Sequence, residues 1–334
     1  MLKRIFINLS IVAIAVFVLD FAIGKTLQHF YFCETSGLHY RTTYSIDSTR
    51  ADILVFGSSR ANHHYVPEIF EDSLHMSFYN TGRDGNSILY SLAVFKTIIK
   101  RYTPKIIIID LMTSELNYNV KSYERLSCLQ PYYYNHPEIQ SIVNLRGPFE
   151  KYKMLSAIYP FNSGLLAIGI GNMEVNKKRK NDRNGYIPLF NCIKDTVLVR
   201  MEDISTRIDK TNIDALKYIS TVCKSKNIMF FLVQSPSYAI TMHSASIDLL
   251  TKIAGENNAF FLNYVSDPIF IKQPAYFQDQ NHLNNDGAKV FSETLANRIL
   301  RIESRNALYK SAFVNQLKNT SIQSKDISAT GRNH

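Results

Sequence analysis

The chain lacks any C-x-x-C pair: its four cysteines, Cys33, Cys128, Cys192 and Cys223, are widely spaced. That excludes the usual zinc and dithiol redox signatures. Outside the cytoplasm they could close one or two disulfides, but spacing fixes no pairing and four free thiols fit equally. Glycine is sparse, at 13 residues. The one Gly-x-Gly, Gly169-Ile170-Gly171, lacks both the third glycine and the preceding strand of a dinucleotide-binding turn. No internal repeat is evident. A net charge of +10 comes without a nucleic-acid motif, so nucleic acid is not an expected partner. Its basic residues are scattered except for Lys177, Lys178, Arg179, Lys180 and Arg183. That run reads as a solvated loop, or as a patch that attracts an anionic envelope polymer or lipid headgroup.

What is present is apolar bulk, 46% of residues, with 20% charged, enough for one large α/β domain with a sizeable core. Lys3 and Arg4 precede an apolar run from Ile5 to Leu19, which resumes after Asp20 through Ile23. About 20 residues cross the hydrocarbon core, so the segment reads as an uncleaved signal anchor over 1–25. The alternative is a signal peptide with Ala22-Ile23-Gly24 as its small-x-small site. Positive charge ahead of it puts the amino terminus inside and everything after residue 25 outside the cytoplasm, periplasmic or extracellular. Asp20 would cost about 2.5–3.5 kcal/mol at the centre of a membrane. Nearer the outer end it sits at the headgroup boundary or pairs with a partner membrane helix.

Beyond the anchor the pattern alternates. Residues 51–56 form a short β-rich run that stops at Gly57, and Pro67 to Leu74 reads as helix. Met76 to Tyr79 is a second strand, Ser87 to Tyr102 a helix, and Lys105 to Leu111, with four consecutive isoleucines, a strand buried on both faces. From Thr113 to about Ile204 the alternation gives way to Tyr- and Asn-rich stretches, read as an inserted cap. It returns with helix Asn212 to Ser225, strand Ile228 to Val233, helix Ser244 to Gly255, strand Ala259 to Asn263 and helix Asn285 to Arg301. The expected fold is a three-layer α/β/α sandwich with a central parallel sheet of about five strands. It occupies 45–304, with the insertion at about 113–204 and a polar tail over 305–334.

Two elements carry chemistry. Gly57-Ser58-Ser59-Arg60 turns from the first strand into a helix, the place where an open α/β sheet presents ligands. A serine there can act as nucleophile, and its own amide can help hold an oxyanion. Asp279-Gln280-Asn281-His282 lies in a loop before the last helix. Imidazole, with an ordinary pKa near 6.5, suits the removal of a serine proton, and a carboxylate three residues away can orient the ring. His63 and His64 read as exposed histidines near the helix start, or as substrate contacts. The Tyr132, Tyr133, Tyr134 and His136 cluster reads as cap packing or as a platform for sugar rings.

In this order the two elements resemble the SGNH (GDSL-like) hydrolase superfamily, whose serine follows strand one and whose Asp-x-x-His precedes the final helix. Asn80-Thr81-Gly82-Arg83-Asp84-Gly85 is similar to its second block, Asn-x-Gly-x-x-Gly. The resemblance spans roughly 50–110 and 205–300. It implies Ser59 as nucleophile, Asp279 and His282 as its partners, the amides of Ser59 and Gly85 as oxyanion donors, and no cofactor or metal. One block departs. Where the family has Gly-x-Asn-Asp, this chain has Asp110-Leu111-Met112-Thr113-Ser114-Glu115, and neither Asn117 nor Asn119 is an assignable substitute. That departure and the Gly-Ser-Ser-Arg start resemble the membrane-tethered branch that includes DltD-like and alginate-acetylation proteins. The expectation is an extracytoplasmic esterase removing O-acyl, above all acetyl, groups from an envelope or secreted glycan. Two alternatives stand: an O-acyltransferase beside a multi-spanning acyl donor protein, and a catalytically silent envelope-binding protein.

Overall fold

The computed structural model describes residues 1–173, 182–194, 199–201, 207–241 and 245–305. The basic stretch from Lys177 to Lys180 and the tail beyond 305 lie outside the described residues.

Seven strands are present among the described residues: β1 (Ile53–Gly57), β2 (Phe78–Asn80), β3 (Ile106–Asp110), β4 (Val199–Met201), β5 (Met229–Gln234), β6 (Ala239–Thr241) and β7 (Phe260–Asn263). Five form one sheet in the order β2-β1-β3-β5-β7, and every neighbouring pair is parallel. β4 and β6 pair with each other outside it. The continuous apolar character of β1 and β3 follows from burial on both faces: all ten of their residues are buried.

Alternate side chains feed two cores. Leu54, Phe56, Ile107 and Ile109 pack on one face with the helices Ile88–Arg101 and Lys210–Ser225. Ile53, Val55, Ile106 and Ile108 pack on the other with Phe70, Phe291 and Leu295. The protein is thus an α/β/α sandwich. Each fully buried isoleucine contributes about 1.5–3 kcal/mol before conformational entropy is set against it. Because β1 lies between β2 and β3, the strand order reverses beside it, and a crevice opens where the carboxyl ends of β1 and β3 meet, with Gly57 opposite Asp110.

A helix, Leu2–Phe32, precedes the sheet; it is long and apolar enough to cross a membrane, with a mean hydropathy of 2.5 over its most apolar stretch. Its carboxyl end belongs to the folded body, since Tyr31 is a core residue. Asp20 finds its partners in the same chain: its carboxylate accepts from Ser156 Oγ at 2.6 Å and the Ala157 amide at 2.6 Å. Residues 156–158, not a second membrane helix, hold it. Gly24 lies so close to the Ala157 backbone that a Cβ would collide with it.

Between β3 and β5, residues 113–172 form a series of short helical turns. Tyr132 is fully buried, its hydroxyl 2.7 Å from Thr43 Oγ1 and 3.2 Å from Tyr31 Oη. Tyr133 is also buried, and Tyr134 is exposed but donates to the Met154 carbonyl. His136 is held by Asp47 and Glu138. The aromatic cluster therefore packs the insert against the amino-terminal segment. All four cysteines are free.

Candidate active site

β1 ends at Gly57, whose φ of +145° suits glycine. A Cβ there would sit 2.5 Å from the Asp110 carbonyl oxygen and 2.9 Å from Ala61 Cβ. The tight turn that results starts the helix Ser59–His64 against the end of β3. Ser59 Oγ lies 2.7 Å from His282 Nε2. His282 Nδ1 lies 3.0 Å from each oxygen of Asp279. Asp279 Oδ1 also accepts the amides of Asn281 at 2.8 Å and His282 at 3.0 Å. Partial burial pushes the Asp279 carboxyl up, but hydrogen bonds from the His282 ring and these amides outweigh it and hold its pKa below the usual carboxylate value. A serine, an imidazole and a carboxylate thus stand in one hydrogen-bonded chain. Its members come together from positions more than two hundred residues apart.

The loop carrying Asp279 and His282 is pinned at both ends. Phe277 and Leu283 pair across its base and are fully buried, and the Gln278 amide donates to the His282 carbonyl at 2.8 Å. A third fastening comes from His64. The expectation of exposed histidines at 63 and 64 is corrected here, because both are buried. The helix bearing them is enclosed by the sheet, this loop and residues 185–187. His64 Nε2 accepts the Leu283 amide at 2.9 Å, so its proton resides on Nδ1, which donates to Ser235 Oγ at 2.8 Å. Burial holds the His64 pKa well below the ordinary histidine value. His63 Nδ1 donates to the Ile187 carbonyl, and its Nε2 lies 3.4 Å from Asp84.

Asp84 and Gly85 belong to a loop wrapped around the Ser59–His64 helix. The Arg83 amide donates to the Gly57 carbonyl at 3.1 Å, and Asn62 Nδ2 donates to Asp84 at 2.7 Å. Burial pushes the Asp84 carboxyl up, but His63 and Asn62 override it and hold the pKa at about 2. Gly85 has φ +71°, and its carbonyl accepts from Arg125 Nη1 at 2.5 Å. Nothing in the sequence marks Arg125, an exposed residue of the insert with no motif around it.

In the departing block, Asp110 is buried and accepts from Tyr65 Oη at 3.0 Å, with Arg60 Nε 3.9 Å away. Glu115 takes the Met112 amide at 2.8 Å. Enclosure of its carboxyl pushes the pKa up to about 7. Asn119 is spent on a helix cap, accepting from the Lys121 amide, while Asn117 bridges to Ile208. Beside Asp279 a cleft of about 600 Å³ opens between residues 191–194 and 278–280.

Fold and geometry together define a parallel α/β sandwich with a Ser-His-Asp hydrogen-bond chain at the carboxyl edge of its sheet. No family model matches the chain, and no curated protein matches it. Among solved structures, a protein of Bacteroides fragilis NCTC 9343 described as a candidate acylhydrolase is similar at 13% identity with a TM-score of 0.37, over 80% of this chain and 99% of that one.

Proposed function

We propose that the protein is a serine esterase in which Ser59, His282 and Asp279 form the catalytic triad. The observation that carries this reading is the continuous contact from Ser59 Oγ through the imidazole to the carboxylate, 2.7 Å and 3.0 Å. His282 Nε2 takes the Ser59 proton as Oγ bonds to the ester carbonyl carbon. The carbonyl electron pair moves onto its oxygen, which the amides of Ser59 and Gly85 receive. Asp279 keeps the ring proton on Nδ1 and stabilises the imidazolium. Collapse expels the alcohol, which takes the proton from His282, and leaves an acyl-enzyme. Water, deprotonated by the same imidazole, then releases the acid and frees Ser59.

The substrate class we propose is an O-acyl ester, chiefly acetyl, on an envelope or secreted glycan, with the domain held outside the cytoplasm by its amino-terminal helix. That rests on the resemblance of the Gly-Ser-Ser-Arg turn and the departing third block to membrane-tethered SGNH proteins. Transfer to a sugar hydroxyl would use the same residues. Hydrolysis is favoured because Asp279 is half exposed, leaving the site open to water.

The test uses the full chain in detergent, with a fluorophosphonate probe and para-nitrophenyl acetate, comparing wild type with Ser59→Ala and His282→Ala. Labelling and turnover in wild type, both lost in each variant, are expected. Absence of labelling in folded wild type would end the esterase reading and favour a silent binding role. Whether acetyl ends on water or on an added glycan separates hydrolysis from transfer.

A further inference from the structure

The helix Leu165–Asn172, sequence LLAIGIGN, is built the wrong way round for a surface helix in water. Only Ile168 is buried, while Leu165, Leu166 and Ile170 are exposed, Leu166 by 79%. A helix resting on a soluble body normally turns polar residues outward. In the chain before and after it, Phe149, Leu155 and Met173 are also apolar and at least 66% exposed. Single exposed apolar side chains need no explanation; an apolar cluster does.

The position of this helix says what covers it. One of its ends meets the last turn of the Leu2–Phe32 helix directly, and the other reaches that turn through His39. Asn172 Nδ2 donates to the Phe30 carbonyl at 2.9 Å. Gly164, at the other end, lies beside the ring of His39, which stacks on Tyr31 with centroids 4.5 Å apart. The short helix is therefore held beside the long one near residues 30–31. If about 20 residues from Ile5 fill the hydrocarbon, residue 24 marks its edge. Phe30 then stands about 9 Å further on, at 1.5 Å per residue. That is close to the depth of the headgroup layer, where interfacial helices lie in the membrane plane with apolar side chains reaching the acyl boundary. Leu155 sits lower, next to Ser156, which holds Asp20. Lys25 lines one hollow with Leu155 and Ser156 and suits anionic headgroups.

We infer that residues 149–173 form a second, monotopic membrane contact. On this assignment Leu165, Leu166, Ile170 and Met173 rest in the leaflet from which the amino-terminal helix emerges. The body is then seated on the bilayer rather than swinging from a single stalk. The hydrogen bonds of Asp20 to residues 156–157 and the close Gly24–Ala157 approach lock the two contacts together. The catalytic reading plays no part in this inference.

The chain contains no tryptophan, so one introduced residue reports alone, against a wild-type protein without indole emission. Leu166→Trp and Met173→Trp would be placed in the full chain, reconstituted in vesicles of mixed zwitterionic and anionic phospholipid. Ile269→Trp serves as control; Ile269 is exposed and sits next to Phe270, in the core on the other face of the sheet. Brominated acyl chains should quench the indole fluorescence of the Leu166→Trp and Met173→Trp variants at least about two-fold, with matching protection from iodide. The control should show the reverse. If both variants respond to iodide as the control does, and not to brominated lipid, the proposal is overturned. Shielding from both quenchers would also overturn it, since protein, such as a second copy, would then cover the patch. A Ser59→Ala background should give the same quenching, which separates this result from the fate of the esterase reading.

Discussion

Asp279 satisfies three donors at once, the imidazole Nδ1 and two loop amides. In Asp279→Asn the amide oxygen can still cap the loop, but the carboxamide cannot fix the ring in the tautomer that accepts the serine proton. We expect kcat on para-nitrophenyl acetate to fall by about 10³–10⁴-fold with KM little changed; an unchanged kcat in folded variant would contradict the role. Glu115 poses the opposite situation, a carboxyl whose burial raises its pKa to about 7. From its ordinary value of 4.5 up to about 7 the folded state holds a proton that the unfolded chain has lost. The residue therefore costs stability progressively as pH rises through that window. Glu115→Gln removes the charge. Its melting temperature relative to wild type should be higher at about pH 8 than at about pH 5, reflecting up to about 3 kcal/mol. Equal shifts at the two pH values would rule the burial effect out.

At the scale of elements, the site depends on two loops held to one short helix. Gly85→Ala forces a side chain onto a left-handed backbone and into the Arg125 guanidinium. The backbone part alone costs about 1–2 kcal/mol. Adding Arg125→Ala should recover the collision part and leave the backbone part, so a double-mutant cycle in urea should be non-additive; strict additivity would show that the two do not interact. His64→Ala leaves the buried Leu283 amide without its acceptor and opens a gap beneath the loop carrying Asp279 and His282. A loss of about 2–4 kcal/mol is expected in urea unfolding. The elements are legible in sequence to different degrees. β1, β3 and the helices Pro67–Leu74 and Ile88–Arg101 lie within a residue or two of where periodicity puts them, since strands buried on both faces and two-faced helices write their burial into composition. β6 is not among the expected strands, because a three-residue strand is too short to show a period.

At the scale of the whole molecule, the amino-terminal helix is part of the body as well as a candidate membrane span. Tyr31 joins the core, and Asp20 and Gly24 dock onto residues 156–157. A chain beginning at residue 19 keeps all three contacts, and one beginning at residue 35 loses them. The shorter chain should melt lower by about 5 °C or more, given a loss of several kcal/mol in buried packing and hydrogen bonds. Equal melting temperatures would mean that the helix is only a tether.

The sequence by itself determined the alternation of strands and helices, the parallel sheet and the apolar amino-terminal run. These are local patterns, set by side-chain periodicity and by the length of an apolar segment. It also named Ser59, Asp279 and His282 as candidates through the order of short motifs. Their contact, the burial of His63 and His64, the place of Arg125 over Gly85 and the capture of Asp20 by residues 156–158 were decided only by the tertiary structure. Each joins positions far apart along the chain. No local propensity encodes such a pairing; it arises when two packed faces of one sheet fix where distant loops must end.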